Sequence, residues 1–215
     1  VRPLSDESAP GAVILAAGLG RRLGGRPKAA LHIGEQSLLE RLAGVLREAG
    51  VSQPRVVLGP YREILLPLAL RAGLDPLLHE QDDPSLVDSQ RLAVQVHHRL
   101  QPERPLWLLL GDLTALSVED LRRLKEAWRN RAPDVQALLP AVAGQRGHPV
   151  ILGPQAVDAI DEQPANLGVR HWLSAHEDRV HFEALPGPGP VQDLDTEADL
   201  LALRAAHHPT PVDWR

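Results

Sequence analysis

The stretch that decides the reading is AVILAAGLGRRLGGRPK, residues 12–28. Its first five residues are a short apolar run with β-branched members, ended by the turn-prone Gly18-Leu19-Gly20, which predicts a buried strand that runs into a turn. Beyond the strand, small residues let backbone N–H groups close on a phosphate, while Arg21, Arg22, Arg26 and Lys28 supply positive charge. The segment reads as an anion cradle. It is not a P-loop, because Lys28 follows proline and precedes alanine where that motif needs Gly-Lys-Ser/Thr. It is a poor dinucleotide pattern too: Leu23 stands at the third glycine position, and Pro27 argues against a helix running straight through. As a bare G-x-G it would suit an ordinary strand-to-helix turn equally well.

Working outward, Ser37 and Glu40 have capping-box spacing ahead of Leu42, Val45 and Leu46, and Gly50 follows as a stop, so a helix of about three turns is expected. A strand at 55–59 follows, then helices at about 61–72 and 85–99 around a weak strand at Leu77-Leu78. The run PLWLLL, residues 105–110, is the clearest buried strand and ends at Gly111-Asp112. Ser117 and Asp120 predict a capped helix from 118 to about 131, and 134–140 reads as a strand. Later come a turn at 144–147, a strand at 148–152, two short helices, a strand at about 179–184, a Pro/Gly loop at 186–190 and a last helix at 196–207.

Strands alternating with helices predict a three-layer α/β/α architecture with a mostly parallel, Rossmann-like sheet. One domain is expected over 11–207, between a flexible lead-in at 1–10 and a loosely held tail at 208–215. In such sheets ligands bind beyond the carboxyl ends of the strands, where both Gly18 and Asp112 fall. Their chemistry belongs together: a carboxylate beside a phosphate cradle is a ligand that Mg²⁺ prefers, with water and substrate oxygens completing the octahedron. Standing alone, Gly-Asp is a common turn.

Composition narrows the field. A chain of 215 residues with 43% apolar content and a formal charge of -5 suits one globular domain and lacks the basic surface of a nucleic-acid binder. The absence of cysteine removes disulfides, thiolate metal sites and cysteine nucleophiles, leaving Asp and Glu as hard-cation ligands. No run approaches the roughly 18 apolar residues of a membrane span, and residues 1–10 lack the features of a secretory signal. The expectation is a cytoplasmic protein with no membrane partner. The ten histidines show no H-E-x-x-H spacing, and Trp107, Trp128 and Trp172 read as core or core edge.

The whole string Leu15-Ala16-Ala17-Gly18-Leu19-Gly20-Arg21-Arg22-Leu23-Gly24-Gly25-Arg26-Pro27-Lys28 resembles the N-terminal signature of the molybdenum-cofactor nucleotidyltransferases, the MobA-like group. That wider group includes sugar-1-phosphate nucleotidyltransferases. The resemblance implies the nucleotide-diphospho-sugar transferase type of fold and a Mg²⁺-dependent transfer of a nucleotidyl group to a phosphorylated acceptor. It implies that Leu15, Ala16, Ala17, Gly18 and Gly20 pack on the nucleotide, that Arg22 contacts the triphosphate, and that Lys28 offsets charge at the reacting phosphate. In this family L-A-A-G accompanies cytidylyl transfer, so Ala17 favours CTP over GTP.

Further segments resemble the same family. Gly111-Asp112 matches G-D-x-P except that Thr114 replaces the proline, and the match makes Asp112 the metal ligand. Arg146-Gly147-His148-Pro149 resembles the R-G-H-P of the cytidylyl branch, which puts His148 on the acceptor side; by itself it could cap a strand. Asn166-Leu167-Gly168-Val169-Arg170 resembles a drifted G-D-x-G-A-R, with Arg170 facing the acceptor or simply opening a helix. Asp193-Leu194-Asp195-Thr196 resembles D-[IV]-D-T, making Asp193 and Asp195 further metal candidates, although helix capping explains the same residues. At 83–90, where relatives carry a Gly/Ser-rich loop, Ser85 and Ser89 remain without glycine, and Ser89 is the nucleotide candidate.

The acceptor implied is a molybdopterin-type cofactor, with a molybdoenzyme as a possible further partner; a sugar 1-phosphate is the alternative. Two rivals predict different structures. A non-catalytic relative acting in molybdoenzyme maturation would turn Asp112 into the core, and a nicotinamide-dependent reductase would open a helix at once after Gly20.

Overall fold

The computed structural model describes residues 9–51 and 53–215, so most of the expected lead-in at 1–10 lies outside the described residues. In chain order the elements are β1 (Gly11–Ala16), β2 (Leu31–Ile33), β3 (Gln36–Ser37), α1 (Leu38–Glu48), β4 (Arg55–Leu58), α2 (Arg62–Arg71), β5 (Asp75–Leu78), α3 (Leu86–Leu100) and β6 (Leu106–Leu110). Then follow α4 (Val118–Arg129), β7 (Ala137–Val142), β8 (Gln145–Arg146), β9 (Val150–Leu152), α5 (Pro154–Asp161), α6 (Val169–Ala175), β10 (Val180–Ala184), α7 (Glu197–His207) and β11 (Val212–Trp214).

All six residues of β1 are buried, as expected of a strand covered on both faces. It lies inside the main sheet, parallel to β4 on one side and β6 on the other. The full order is β10-β7-β9-β6-β1-β4-β5, with β8 hairpinned onto β7. Side chains alternate across β1. Ala12, Ile14 and Ala16 pack with α1, α2 and α4, whereas Val13, Leu15 and Ala17 face α3, α5 and α6. This is the expected three-layer α/β/α sandwich with a mostly parallel sheet. The exceptions are β8, antiparallel to β7, and β9, which runs antiparallel to both β6 and β7 because the β7–β8 hairpin reverses the chain just before it.

Four long helices open on a reciprocal capping box: Ser37 with Glu40, Ser85 with Asp88, Ser117 with Asp120, and Thr196 with Asp199. Each cap contributes about 1 kcal/mol by satisfying amides that the first turn leaves free.

Two sequence expectations need correction. The segment 31–37 carried no expected strand, yet β2 and β3 form a small antiparallel sheet. Its third strand is β11, drawn from the tail expected to be loose. Val212 is buried, Trp214 packs on the core edge, and the Arg215 guanidinium meets both Glu35 carboxylate oxygens, at 2.9 and 3.1 Å. A three-residue strand has no readable period, so only the pairing reveals it. Among the described residues no helix is long and apolar enough to cross a membrane.

Candidate active site

The carboxyl ends of β1 and β6 open into a cleft of about 590 Å³. Leu15, Ala16, Ala17, Gly18, Gly20, Arg22, Lys28, Ser89, Asp112 and Asp195 all line it, joined by Leu19, Arg21, Asp83, Pro84, Ser85, Leu86 and Leu110. Residues from five separate stretches thus meet at one edge of the sheet, as the switch from strand to loop on adjacent strands dictates.

The loop after β1 is held by its own backbone. Gly20 sits at φ 58°, and a β-carbon there would lie 2.0 Å from the Arg26 carbonyl oxygen, so the position accepts glycine alone. Its carbonyl receives the amides of Leu23 and Gly25, at 2.9 and 3.1 Å. The Tyr61 hydroxyl reaches the carbonyl of Leu19 at 3.1 Å and also that of Gly25. Only single 3-10 turns interrupt the loop, at Arg21–Leu23 and Lys28–Ala30, and the first α-helix waits until Leu38. The reductase reading required a helix opening at once after Gly20 and is overturned. Gly18 faces open space, with nothing within 4 Å of where its β-carbon would be, so the cradle floor is bare backbone.

Lys28 lies at the wall of the cleft with its side chain 19% exposed. Its ammonium donates to Asp112 Oδ2 at 2.9 Å and also to Asp195 Oδ1. Burial works against the charged amine, but the charges of Asp112 and Asp195 and the bonds to them outweigh it, and its pKa stands above the ordinary value. Arg22 approaches the other oxygen of Asp195 at 3.6 Å. Across the mouth, Arg21 pairs with Asp83 at 2.6 Å.

Asp112 and the 193–195 segment are joined by backbone. Leu194 N–H donates to the Asp112 carbonyl at 3.0 Å, while the Thr114 amide and hydroxyl both donate to the Gln192 carbonyl, at 2.9 and 3.1 Å. Thr114, a departure from the family pattern, therefore adds a bond that fixes this pairing. Asp193 sits in the bridge opposite Leu113. Burial, then the like charges of Asp112 and Asp195, push its carboxyl above the usual range.

A metal ion is implied by the family resemblance, and the residues fit one in part. Asp112 Oδ1 is buried with no hydrogen-bond partner among the described residues, so one oxygen of this carboxylate is not committed to another protein group. Yet no group of three His, Cys, Asp or Glu among the described residues is placed to hold an ion unaided. That pattern suits Mg²⁺, which typically takes one or two carboxylates and completes its shell with water and phosphate oxygens.

Other predicted residues have different surroundings. The Ser89 hydroxyl lines the cleft but is already bonded to the Ser85 carbonyl at 3.2 Å and His79 Nε2 at 3.1 Å. Ser85 caps α3, so the glycine-free 83–90 segment is a helix start, and it leaves the cleft open. Neither His148 nor Arg170 lines the cleft. The His148 ring meets the Leu108 carbonyl at 3.3 Å, and burial lowers its pKa against the opposing pull of that bond and of Asp112. Arg170 stands exposed in the first turn of α6. Sequence reasoning missed Tyr61, Asp83, Leu110 and Trp214; only Tyr61, the single tyrosine, offered any compositional signal.

Residues 12–180 match the sequence model of the MobA-like NTP transferase domain. Among solved structures, Rv0371c from Mycobacterium tuberculosis H37Rv is 26% identical, with a TM-score of 0.75 covering 90% of this chain and 95% of that one. A second structure of Rv0371c, in complex with manganese, gives 26% identity and a TM-score of 0.68 over 90% and 96% of the two chains. The bifunctional protein GlmU of Syntrophomonas wolfei subsp. wolfei is 26% identical over 159 residues, or 72% of this chain and 34% of the relative. This chain therefore spans about a third of the length of that relative.

Proposed function

The chain belongs to the MobA-like NTP transferase domain family, and from that premise we propose that it transfers a nucleotidyl group from a nucleoside triphosphate to a phosphorylated acceptor. CTP is favoured over GTP, on Ala17, and the acceptor is a molybdopterin-type cofactor destined for a molybdoenzyme in the cytoplasm. One observation carries the reading: a single ammonium, Lys28, bridges Asp112 and Asp195 at the cleft wall while Asp112 Oδ1 has no partner among the described residues.

In this reading the acceptor phosphate attacks the α-phosphorus in line, the new P–O bond forms as the bond to the β-phosphate breaks, and pyrophosphate leaves. No covalent enzyme intermediate is needed. The bare backbone at Gly18 admits the phosphates, and Lys28 with Arg22 faces the negative charge that builds on them. Asp112 would hold Mg²⁺, with Asp195 and Asp193 as neighbouring carboxylates, and the chemistry supplied there would be neutralisation of phosphate oxygens. The acceptor-side roles expected of His148 and Arg170 are not part of this reading, since neither residue lines the cleft. The direction of Asp112, toward Lys28 rather than into the core, favours transfer over a binding-only relative.

Isothermal titration of CTP and GTP, with and without Mg²⁺ and repeated on Asp112→Ala, tests the proposal. Magnesium-dependent binding of one nucleotide, lost in the variant, supports it and names the base. Failure of both to bind overturns it. Pyrophosphate release with a sugar 1-phosphate, but not with the pterin acceptor, would reassign the acceptor.

A further inference from the structure

The Lys28 loop is held from outside by a residue far along the chain. We infer that Trp214 is a positioning residue for Lys28, an inference that rests on the transferase reading. Three independent contacts point to it.

The indole Nε1–H donates to the Pro27 carbonyl at 2.8 Å. That same carbonyl already accepts the Ala30 amide at 3.0 Å, closing the turn that contains Lys28. With two donors on one oxygen, the peptide plane between Pro27 and Lys28 is fixed, and that plane sets the direction in which the lysine side chain leaves the backbone. Pro27 contributes its own rigidity through its fixed φ.

The second contact is Arg26, whose guanidinium lies 5.0 Å over the Trp214 ring, so the residue before Pro27 is drawn to the same indole. The third is the strand itself. Trp214 pairs with Leu31, and Val212 with Ile33, so β11 clamps the chain directly after the Lys28–Ala30 turn.

Packing ties this latch to the other side of the ion pair. Val212 is buried in one apolar cluster with Leu23, next to Arg22, and with Leu194, which lies between Asp193 and Asp195. Trp214 packs against that cluster. The loop carrying the cations and the segment carrying the carboxylates thus share one footing. Lys28 can meet Asp112 and Asp195 together only while that footing holds, and Trp214 sets the lysine's angle on it.

Trp214→Phe tests the inference, because it keeps a ring for Arg26 and a side chain for β11 while deleting the N–H. The expected result is a folded protein whose Ala30 and Leu31 amides, which close the Lys28 turn, exchange with deuterium several-fold faster. The kcat of pyrophosphate release should fall about tenfold with KM for the nucleotide little changed, since small displacements of a charge-stabilising group act on the transition state. In a Lys28→Ala background the same change should cost nothing further. Unchanged exchange at Ala30 and Leu31 would overturn the inference whether or not the protein turns over nucleotide. Equal, additive losses in both backgrounds would assign Trp214 to general stability instead. A wild-type protein that binds no nucleotide would sink the transferase reading alone, leaving the exchange result to judge the latch.

Discussion

Lys28 Nζ stands 2.9 Å from Asp112 Oδ2, joining the loop after the first strand to the end of β6 across 84 residues of sequence. The pair is largely shielded, with side-chain exposures of 19% and 15%, so its loss is felt both in the fold and in the chemistry.

Lys28→Met should therefore abolish transfer at the level of at least about 100-fold in kcat, the usual cost of removing a group aimed at developing charge. It also leaves Asp112 and Asp195 without their shared donor, a loss of roughly 1.5–3 kcal/mol for a hydrogen bond to a charged group. Urea denaturation alongside pyrophosphate release measures both effects.

Gly18→Val should separate binding from stability. Gly18 is not among the glycines at positive φ and has open space where a β-carbon would stand, so the midpoint of unfolding should move by no more than about 0.5 kcal/mol. The branched side chain projects into the cleft, and nucleotide binding by titration should be lost. Retained affinity would place the phosphates elsewhere.

Arg21 and Asp83 form an exposed pair over the cleft mouth, 73% and 64% open to solvent. Such a pair contributes little to folding, about 0.2–1 kcal/mol. Asp83→Asn should leave the melting temperature nearly unchanged and free Arg21 for the triphosphate, tightening nucleotide binding by up to about fivefold at low ionic strength. Screening should erase the gain in 0.5–1 M salt, roughly a Debye length of 3–4 Å.

Acid should weaken the fold. His97 is fully buried, its Nε2 is 2.8 Å from the Arg104 carbonyl, and burial lowers its pKa from the ordinary 6.5. Burial lowers His148 as well. Well above pH 6.5 both rings are neutral in folded and unfolded chains, so the full stability is present. As pH falls below that value the unfolded chain takes up protons the folded chain refuses, and stability drops by up to about 1.4 kcal/mol per pH unit for each ring. Thermal melts from pH 7.5 to 5 should show the decline, and His97→Gln should make it shallower. A flat profile would mean that these rings accept protons in the folded state.

By itself the sequence determined the three-layer architecture and the edge on which the cleft lies. Those follow from local causes: an apolar run in β1 too short for a helix, capping pairs at fixed spacing, and glycines where the chain must turn. The motif residues of the loop and Asp112 were legible because side-chain type and strand end coincide in one short window. Several things could not be read that way. The antiparallel course of β9 depends on a hairpin formed by two-residue β8, too brief to carry a period. The tail reads as loose because its hold on the loop is made by one indole N–H, the Arg26 guanidinium over the same ring and a backbone ladder, none of which leaves a pattern in the sequence. The arrangement of Lys28 between Asp112 and Asp195, and the neighbourhood of Thr114 with Gln192, bring together positions 78 to 167 residues apart. Only the packing of sheet, helices and the Leu23–Leu194–Val212 cluster decides such distances, since they express the sum of many burials rather than the preference of any one segment.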